Sequence, residues 1–293
     1  MIRIKARAKL NLFLEVTRRR PDGYHELATL FARVGLADEL SLRKTKSEGI
    51  ALRVLGGPKG LCRPEENIVY RAAEKFFEAF RLRPAAAFTL KKRIPVGAGL
   101  GGGSSDGAAA LRGLARLYRL PRASFPKLMR IAASVGSDVP FFMLDTVFAE
   151  GRGRGEKLKP LKAAGRLPYA VLVYPGEPVY TKEAYGDLKI APAPEVRRRL
   201  REFRELCGLI RKGGFAPGRA GKLFNRLEDP VLPRHKAVKL ARERLEELGA
   251  EAVLMSGSGA TVFGLCRGRA AAEKIAGALE HEQKYRIFST KFC

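Results

Sequence analysis

Between Arg93 and Asp106 the chain reads Arg-Ile-Pro-Val-Gly-Ala-Gly-Leu-Gly-Gly-Gly-Ser-Ser-Asp, and the apolar series Ala108, Ala109, Ala110, Leu111, Leu114 follows at once. Glycines without Cβ atoms let backbone N–H groups crowd around an anion. A helix starting where the glycines end adds unpaired N–H donors and the positive end of its dipole. The segment therefore predicts a strand over Ala87 to Ile94, a phosphate-cradling loop, and a helix over Ser105 to Tyr118. Its expected ligand is an anion of nucleotide type.

Gly97, Gly99 and Gly102 satisfy G-x-G-x-x-G, but a dinucleotide-binding unit needs an acidic residue about 20 positions further on to hold the ribose. No Asp or Glu occurs between Asp106 and Asp138. A Walker loop needs Lys before the Ser or Thr that follows its last glycine, and here Gly103 precedes Ser104. Nothing resembles the H-R-D or D-F-G segments of a protein kinase.

A chain of 293 residues buries a sizeable core and suits two lobes. No apolar run is long enough to span a bilayer, and the start of the chain lacks a cleavable leader pattern, so a cytoplasmic protein with no membrane partner is expected. Cys62, Cys207, Cys266 and Cys293 are scattered, and His25, His235 and His281 show no metal-ligand spacing. The net charge of +26 is extreme. Its clusters, Arg18 to Arg20, Lys91 to Arg93 and Arg197 to Arg199, lie far apart and carry no interleaved aromatics, so no nucleic-acid partner is expected.

Residues 2–16 alternate, with Ile2, Ile4, Ala6, Ala8, Leu10, Leu12, Leu14 and Val16 on one face. Lys9 and Asn11 then point the same way from the other face. Further strands are expected near Leu27 to Val34, Leu40 to Leu42 and Ile50 to Val54. A helix opened by Pro64-Glu65-Glu66 should turn Ile68, Val69, Ala72, Ala73, Phe76, Phe77 and Phe80 to the core.

A helix over Arg122 to Ser134 leads to Gly136-Ser137-Asp138-Val139-Pro140, where Pro140 is expected to push Val139 out of helical geometry and leave Asp138 on irregular backbone. Thr146 to Glu150 predicts a strand running into a tight, exposed Gly151 to Gly155 hairpin. A strand over Tyr169 to Tyr174 precedes the linker Ala191-Pro192-Ala193-Pro194. Charge-paired helices over Glu195 to Lys212 and His235 to Leu248 then lead into an alternating strand and helix tail. The expected lobes are residues 1–190 and 191–293.

A second small-residue loop, Ser256-Gly257-Ser258-Gly259-Ala260-Thr261, links two tail strands. Paired with Pro95 to Asp106, it resembles the signature of the GHMP small-molecule kinases, whose P-x-x-x-G-L-G-S/G-S/G-S loop wraps nucleotide phosphates. Ala8 to Leu14, Arg20 to Leu27, Gly136 to Phe142 and Asn225-Arg226-Leu227-Glu228 extend the resemblance, in order, over nearly the whole chain. They are similar to one branch of that superfamily, which acts on a cytidine-diphosphate sugar alcohol.

The resemblance implies an α+β, two-lobed fold: a ribosomal protein S5 domain 2-like N-terminal lobe holding the nucleotide loop and a ferredoxin-like C-terminal lobe. It implies ATP as phosphoryl donor, with Mg2+, and transfer to the 2-hydroxyl of 4-(cytidine 5'-diphospho)-2-C-methyl-D-erythritol. Asp138 matches the catalytic carboxylate that accepts the hydroxyl proton, and Lys9 the lysine that holds that Asp ionised and stabilises developing negative charge.

By the same resemblance Pro95, Val96, Gly97, Ala98, Gly99, Leu100, Gly101, Gly102, Gly103, Ser104 and Ser105 bind ATP. Asn11, Tyr24, His25, Thr181 and Tyr185 contact the substrate. Tyr185, rather than Tyr180, is favoured as an aromatic platform for the base, and Phe31 is a further aromatic nearby. No acidic cluster accompanies the phosphate loop, and magnesium ligands stay unassigned.

Two departures, Ala260 where serine is common and Gly107 where alanine is usual, remove no catalytic group. A homoserine or mevalonate kinase would share the phosphate loop, but Pro21-Asp22-Gly23-Tyr24-His25 argues against that alternative. A basic nucleic-acid-binding protein on a dead kinase scaffold is opposed by the presence of both Lys9 and Asp138.

Overall fold

The computed structural model describes residues 1–57, 63–213, 215, 222–282 and 284–293, so Cys62 lies outside the described residues. In chain order the strands are β1 Ile2–Arg19, β2 His25–Lys44, β3 Gly49–Leu55, β4 Ala85–Lys91, β5 Phe148–Arg152, β6 Lys157–Leu161, β7 Tyr169–Tyr174, β8 Phe224–Asn225, β9 Ala252–Met255, β10 Val262–Cys266 and β11 Arg286–Lys291. The helices are α1 Ile68–Phe80, α2 Gly102–Leu117, α3 Phe125–Val135, α4 Val139–Met143, α5 Thr181–Gly186, α6 Ala193–Arg211, α7 Glu228–Val231, α8 Lys236–Glu247 and α9 Arg269–Glu280. The mixed content is that of an α+β fold.

Two compact units interleave along the chain. The first holds Met1–Ala8, Leu36–Val96 and Gly101–Asp145; the second holds Lys9–Gly35, Gly97–Leu100 and Thr146–Cys293. In the first, β4 pairs in parallel with β3 and antiparallel with β2, and α1 packs on α2. The apolar spacing of α1 buries Val69, Ala72, Ala73, Phe76 and Phe77, while Ile68 and Phe80, at the two ends of the helix, are only half-buried. Its expected Pro-Glu-Glu opening is a separate 3-10 turn, Pro64–Glu66. Asn67 then caps α1, its side chain accepting from the Val69 amide.

In the second unit β5 pairs with both β2 and β6, and β8 runs parallel to β1 at Phe13 and Leu14. A separate sheet of order β11-β7-β10-β9 carries α8 and α9. The charge pairs expected on the later helices are present, among them Arg198–Glu202, Lys239–Glu243 and Arg242–Glu246. No helix among the described residues is long and apolar enough to cross a membrane.

Several expectations change. The alternation in β1 holds only near its start, because Ala8 to Val16 are all buried: this strand is covered on both faces, and its polar residues need internal partners. The two strands expected in 27–42 are one strand, β2. Gly151, Gly153 and Gly155 are buried rather than exposed, and a Cβ at Gly151 would stand 2.8 Å from Phe31. Pro140 does not break the chain after Asp138. It occupies the first turn of α4, where a missing N–H costs nothing, and Asp138 sits at its N-cap in near-helical geometry.

Candidate active site

The helix expected from the glycine run is α2, and it starts earlier than periodicity suggested. Gly101, at φ +66°, is its N-cap, in the left-handed region that glycine enters without steric cost. The Ser105 amide bonds to the Gly101 carbonyl, while the amides of Gly102, Gly103 and Ser104 have no partner within the helix. Gly103 is exposed and Gly102 and Ser104 half-buried, so these donors, backed by a 16-residue helix dipole, are open to an anion.

In the second unit the two glycine loops are bonded to each other. Ser256 Oγ donates to the Gly99 carbonyl at 3.0 Å, and the Thr261 amide to the Ala98 carbonyl at 3.2 Å. Gly99, at φ +72°, allows this approach: a Cβ there would collide with the Ser256 carbonyl oxygen and lie 2.8 Å from that of Gly259. The Asn225-Arg226-Leu227-Glu228 segment holds the second loop. Asn225 Nδ2 donates to the carbonyls of Met255 at 2.8 Å and Gly257 at 2.7 Å, and Glu228 Oε1 accepts from the Met255 amide at 2.8 Å. Burial pushes the Glu228 carboxyl up, although Arg242 beside it pulls the other way.

Lys9 joins the same assembly. Its amide donates to the Leu100 carbonyl at 3.0 Å, and its Nζ to Asn11 Oδ1 at 2.5 Å. Asn11 Nδ2 donates to Thr29 Oγ1, which donates in turn to the Phe13 carbonyl, both at 2.8 Å. The lysine is 4% exposed, with its ammonium 5.8 Å from the Phe31 ring centre. A Cβ at Gly257 would stand 3.1 Å from both Lys9 Nζ and Asn11 Oδ1, so the second loop covers the amine.

In the first unit Asp138, at the N-cap of α4, makes no side-chain capping bond to that helix. The turn before it adjoins the phosphate loop, since a Cβ at Gly136 would lie 3.9 Å from Ser104 Oγ. Behind the loop lies a buried ionic group that sequence inspection missed: Lys92 Nζ is 2.5 Å from Asp38 Oδ2 and 2.7 Å from Asp106 Oδ2. Burial pushes the Asp106 carboxyl up to about 8 against the pull of Lys92. Burial would lower the Lys92 ammonium, but Asp106 and Asp38 hold it above its ordinary value.

In the second unit the rings of His25 and Tyr185 stack with centres 5.1 Å apart. Burial, then the charge of Arg19, lowers the His25 pKa, which leaves a neutral imidazole with one donor and one acceptor nitrogen. Tyr180 stands 62% exposed at the head of α5, and the neighbouring Thr181 Oγ1 shares a 2.9 Å hydrogen bond with Ser258 Oγ. Tyr24, 52% exposed, lies under the Arg154 guanidinium at 4.7 Å. No three His, Cys, Asp or Glu side chains group to hold a metal among the described residues.

Family models describing the N-terminal domain of GHMP kinases and the C-terminal domain of GHMP kinases match residues 67–146 and 193–285. A 4-diphosphocytidyl-2-C-methyl-D-erythritol kinase of Pelotomaculum thermopropionicum is 40% identical over 289 residues, spanning 98% of this chain and 96% of its own. A crystal structure of 4-(cytidine 5'-diphospho)-2C-methyl-D-erythritol kinase superposes with a TM-score of 0.79 at 38% identity, covering 99% of both chains. The homoserine kinase of Cytophaga hutchinsonii has a TM-score of 0.75 at 19% identity, covering 99% of this chain and 96% of its own; it shares the fold alone.

Proposed function

Since the chain belongs to the GHMP kinases, and within them to the 4-diphosphocytidyl-2-C-methyl-D-erythritol kinase family, it is an ATP-dependent small-molecule kinase, and we propose how its residues divide the work. ATP phosphates rest on the Pro95 to Ser105 loop, at the amides of Gly102, Gly103 and Ser104. The observation that carries this reading is a long helix whose first amides open behind a left-handed glycine.

The acceptor is the tertiary 2-hydroxyl of the methylerythritol moiety, and the products are the 2-phosphate and ADP. Asp138 accepts the hydroxyl proton as the oxygen attacks the γ-phosphorus and ADP leaves. Lys9 supplies positive charge as negative charge spreads over the transferring group. Its buried Nζ, tied to Asn11, is held in one orientation before substrate arrives, which favours a preorganised electrostatic role. His25, Asn11, Tyr24, Thr181 and Tyr185 bind the cytidylyl substrate, with Tyr185 as the platform for the base. Much of the acceleration comes from alignment, because phosphoryl transfer asks little covalent chemistry of the protein.

Mg2+ bound with ATP would neutralise phosphate charge. We place the N-terminal kinase lobe in residues 1–190 and the C-terminal one in 191–293, from the start of the second family match at residue 193, although the compact units cut the chain differently and group 146–190 with 191–293. The reaction belongs to the non-mevalonate isoprenoid pathway and is assigned to the cytoplasm.

An ADP-release assay with the cytidylylated methylerythritol, mevalonate and homoserine tests the substrate. Turnover with the first alone is expected; turnover with only the other two would refute the assignment.

A further inference from the structure

The ionic cluster behind the phosphate loop takes no part in the chemistry described above. Lys92 follows directly on β4 and is 6% exposed at its side chain. Asp38, on β2, bonds Lys92 through Oδ2 and accepts the amides of Arg93 at 2.5 Å and Ile94 at 2.9 Å through Oδ1. Those amides belong to the residues with which the loop begins. Asp106, the other partner of Lys92, stands in the second turn of α2, just beyond the loop's last residues. A single ammonium therefore joins the upstream end of the loop to the helix downstream of it.

Both ends already touch. A Cβ at Gly102 would lie 2.9 Å from Ile94 Cγ2 and 3.4 Å from Lys92 Nζ, so nothing larger than hydrogen fits where the loop closes. The arrangement is expensive, because three ionisable side chains are removed from water and Asp106 Oδ1 is buried with no hydrogen-bond partner among the described residues. Apolar packing would fill this space at lower cost. What charged groups add is direction: they fix where two backbone segments stand relative to each other.

We propose that Lys92 and Asp106 are positioning residues for ATP. The Asp38–Lys92–Asp106 bridge sets the span between Arg93-Ile94 and the first turn of α2, and thereby the spacing of the Gly102, Gly103 and Ser104 amides that receive the phosphates. Neither residue touches a substrate in this role. The inference rests on the reading of that loop as the nucleotide site.

The test compares Asp106→Ala with Asp106→Asn in the full enzyme, recording kcat, both KM values and Tm. Alanine cuts the downstream tether while Lys92 keeps Asp38 as its partner; asparagine retains an oxygen for the ammonium. Asp106→Ala is expected to raise the KM for ATP about tenfold, the scale of one hydrogen bond to a charged group, with the KM for the alcohol unchanged and most of the effect absent in Asp106→Asn. A wild-type KM for ATP in Asp106→Ala, a parallel rise in both KM values, or equal damage in Asp106→Asn overturns the proposal.

Should Asp106→Ala not fold, Asp106→Leu, which fills the space but offers Lys92 no acceptor, takes its place, and the same rise in the KM for ATP is expected; a wild-type value overturns the proposal. Gly103→Leu separates this inference from the reading beneath it, since Gly103 is exposed and its added Cβ meets only Ile68, at an ordinary 3.7 Å. If Gly103→Leu leaves the KM for ATP unchanged, the loop assignment fails and takes the bridge with it. If Gly103→Leu raises it and Asp106→Ala does not, the bridge alone fails.

Discussion

His25 and Tyr185, far apart in sequence, lie ring on ring, with planes 30° from parallel and centres 5.1 Å apart. Each holds the other's orientation, so the proposed platform for the base is set before substrate arrives. Base-to-aromatic stacking is worth about 1–3 kcal/mol. Tyr185→Ala should accordingly raise the KM for the cytidylyl substrate by about tenfold and leave the KM for ATP alone. Tyr180→Ala, at an exposed ring, should change neither. Steady-state kinetics on both variants decide which tyrosine serves the base.

The lowered pKa of His25 fixes a pH dependence. Burial and the charge of Arg19 keep the imidazole neutral down to a pH below its ordinary 6.5. Neutral imidazole can donate from one nitrogen and accept at the other; the protonated ring only donates. The KM for the alcohol substrate should therefore be flat from pH 8 to 6.5 and rise under more acid conditions. In His25→Gln, which does not titrate but keeps a donor and an acceptor, that acid limb should vanish from the KM profile.

Asp138→Asn removes the proposed base while preserving shape. The expected loss in kcat is about 10²–10⁴-fold, the range for general acid–base groups, with ATP affinity measured by calorimetry held near wild type. Lys9→Met should likewise act on kcat. It should also cost stability, because Asn11 Oδ1 loses its 2.5 Å donor in a buried site. Full activity in Asp138→Asn would require another base.

Arg226 anchors the segment that holds the second glycine loop. It reaches Glu15, itself fully buried, through two bonds of 2.9 and 2.8 Å, and also pairs with Glu195 and Asp229. Removing one partner of a buried pair costs about 3–5 kcal/mol. Arg226→Met should lower stability by that amount in denaturant unfolding. Arg226→Met/Glu15→Leu should recover part of it, since no unpaired charge remains buried.

Much of this site could be read from residue order. Alternation in β1 put Lys9 and Asn11 on one side, and their side chains are hydrogen bonded. The glycine run and the alanines after it specified a loop and a helix, which α2 realises. Where reading failed, longer-range packing decided. The face of β1 bearing Lys9 is polar in sequence, and only packing shows that from Ala8 to Val16 it is buried and satisfied internally. Pro140 looked like a breaker because the same residue type ends one helix and begins another. Asp38, Lys92 and Asp106 left no trace of their partnership, since three charged residues in unrelated segments form a pattern only after β2, β4 and α2 have come together. The role of Asn225 was visible as a motif but not as a mechanism.

That role has a consequence for chemical ageing. The side-chain amide of Asn225 points its nitrogen at two carbonyl oxygens and uses its own oxygen for the Leu227 amide. Deamidation would exchange one nitrogen for one oxygen and turn both attractions into repulsions at the base of the loop. A replacement that barely changes size or shape would thus undo the anchor of the loop.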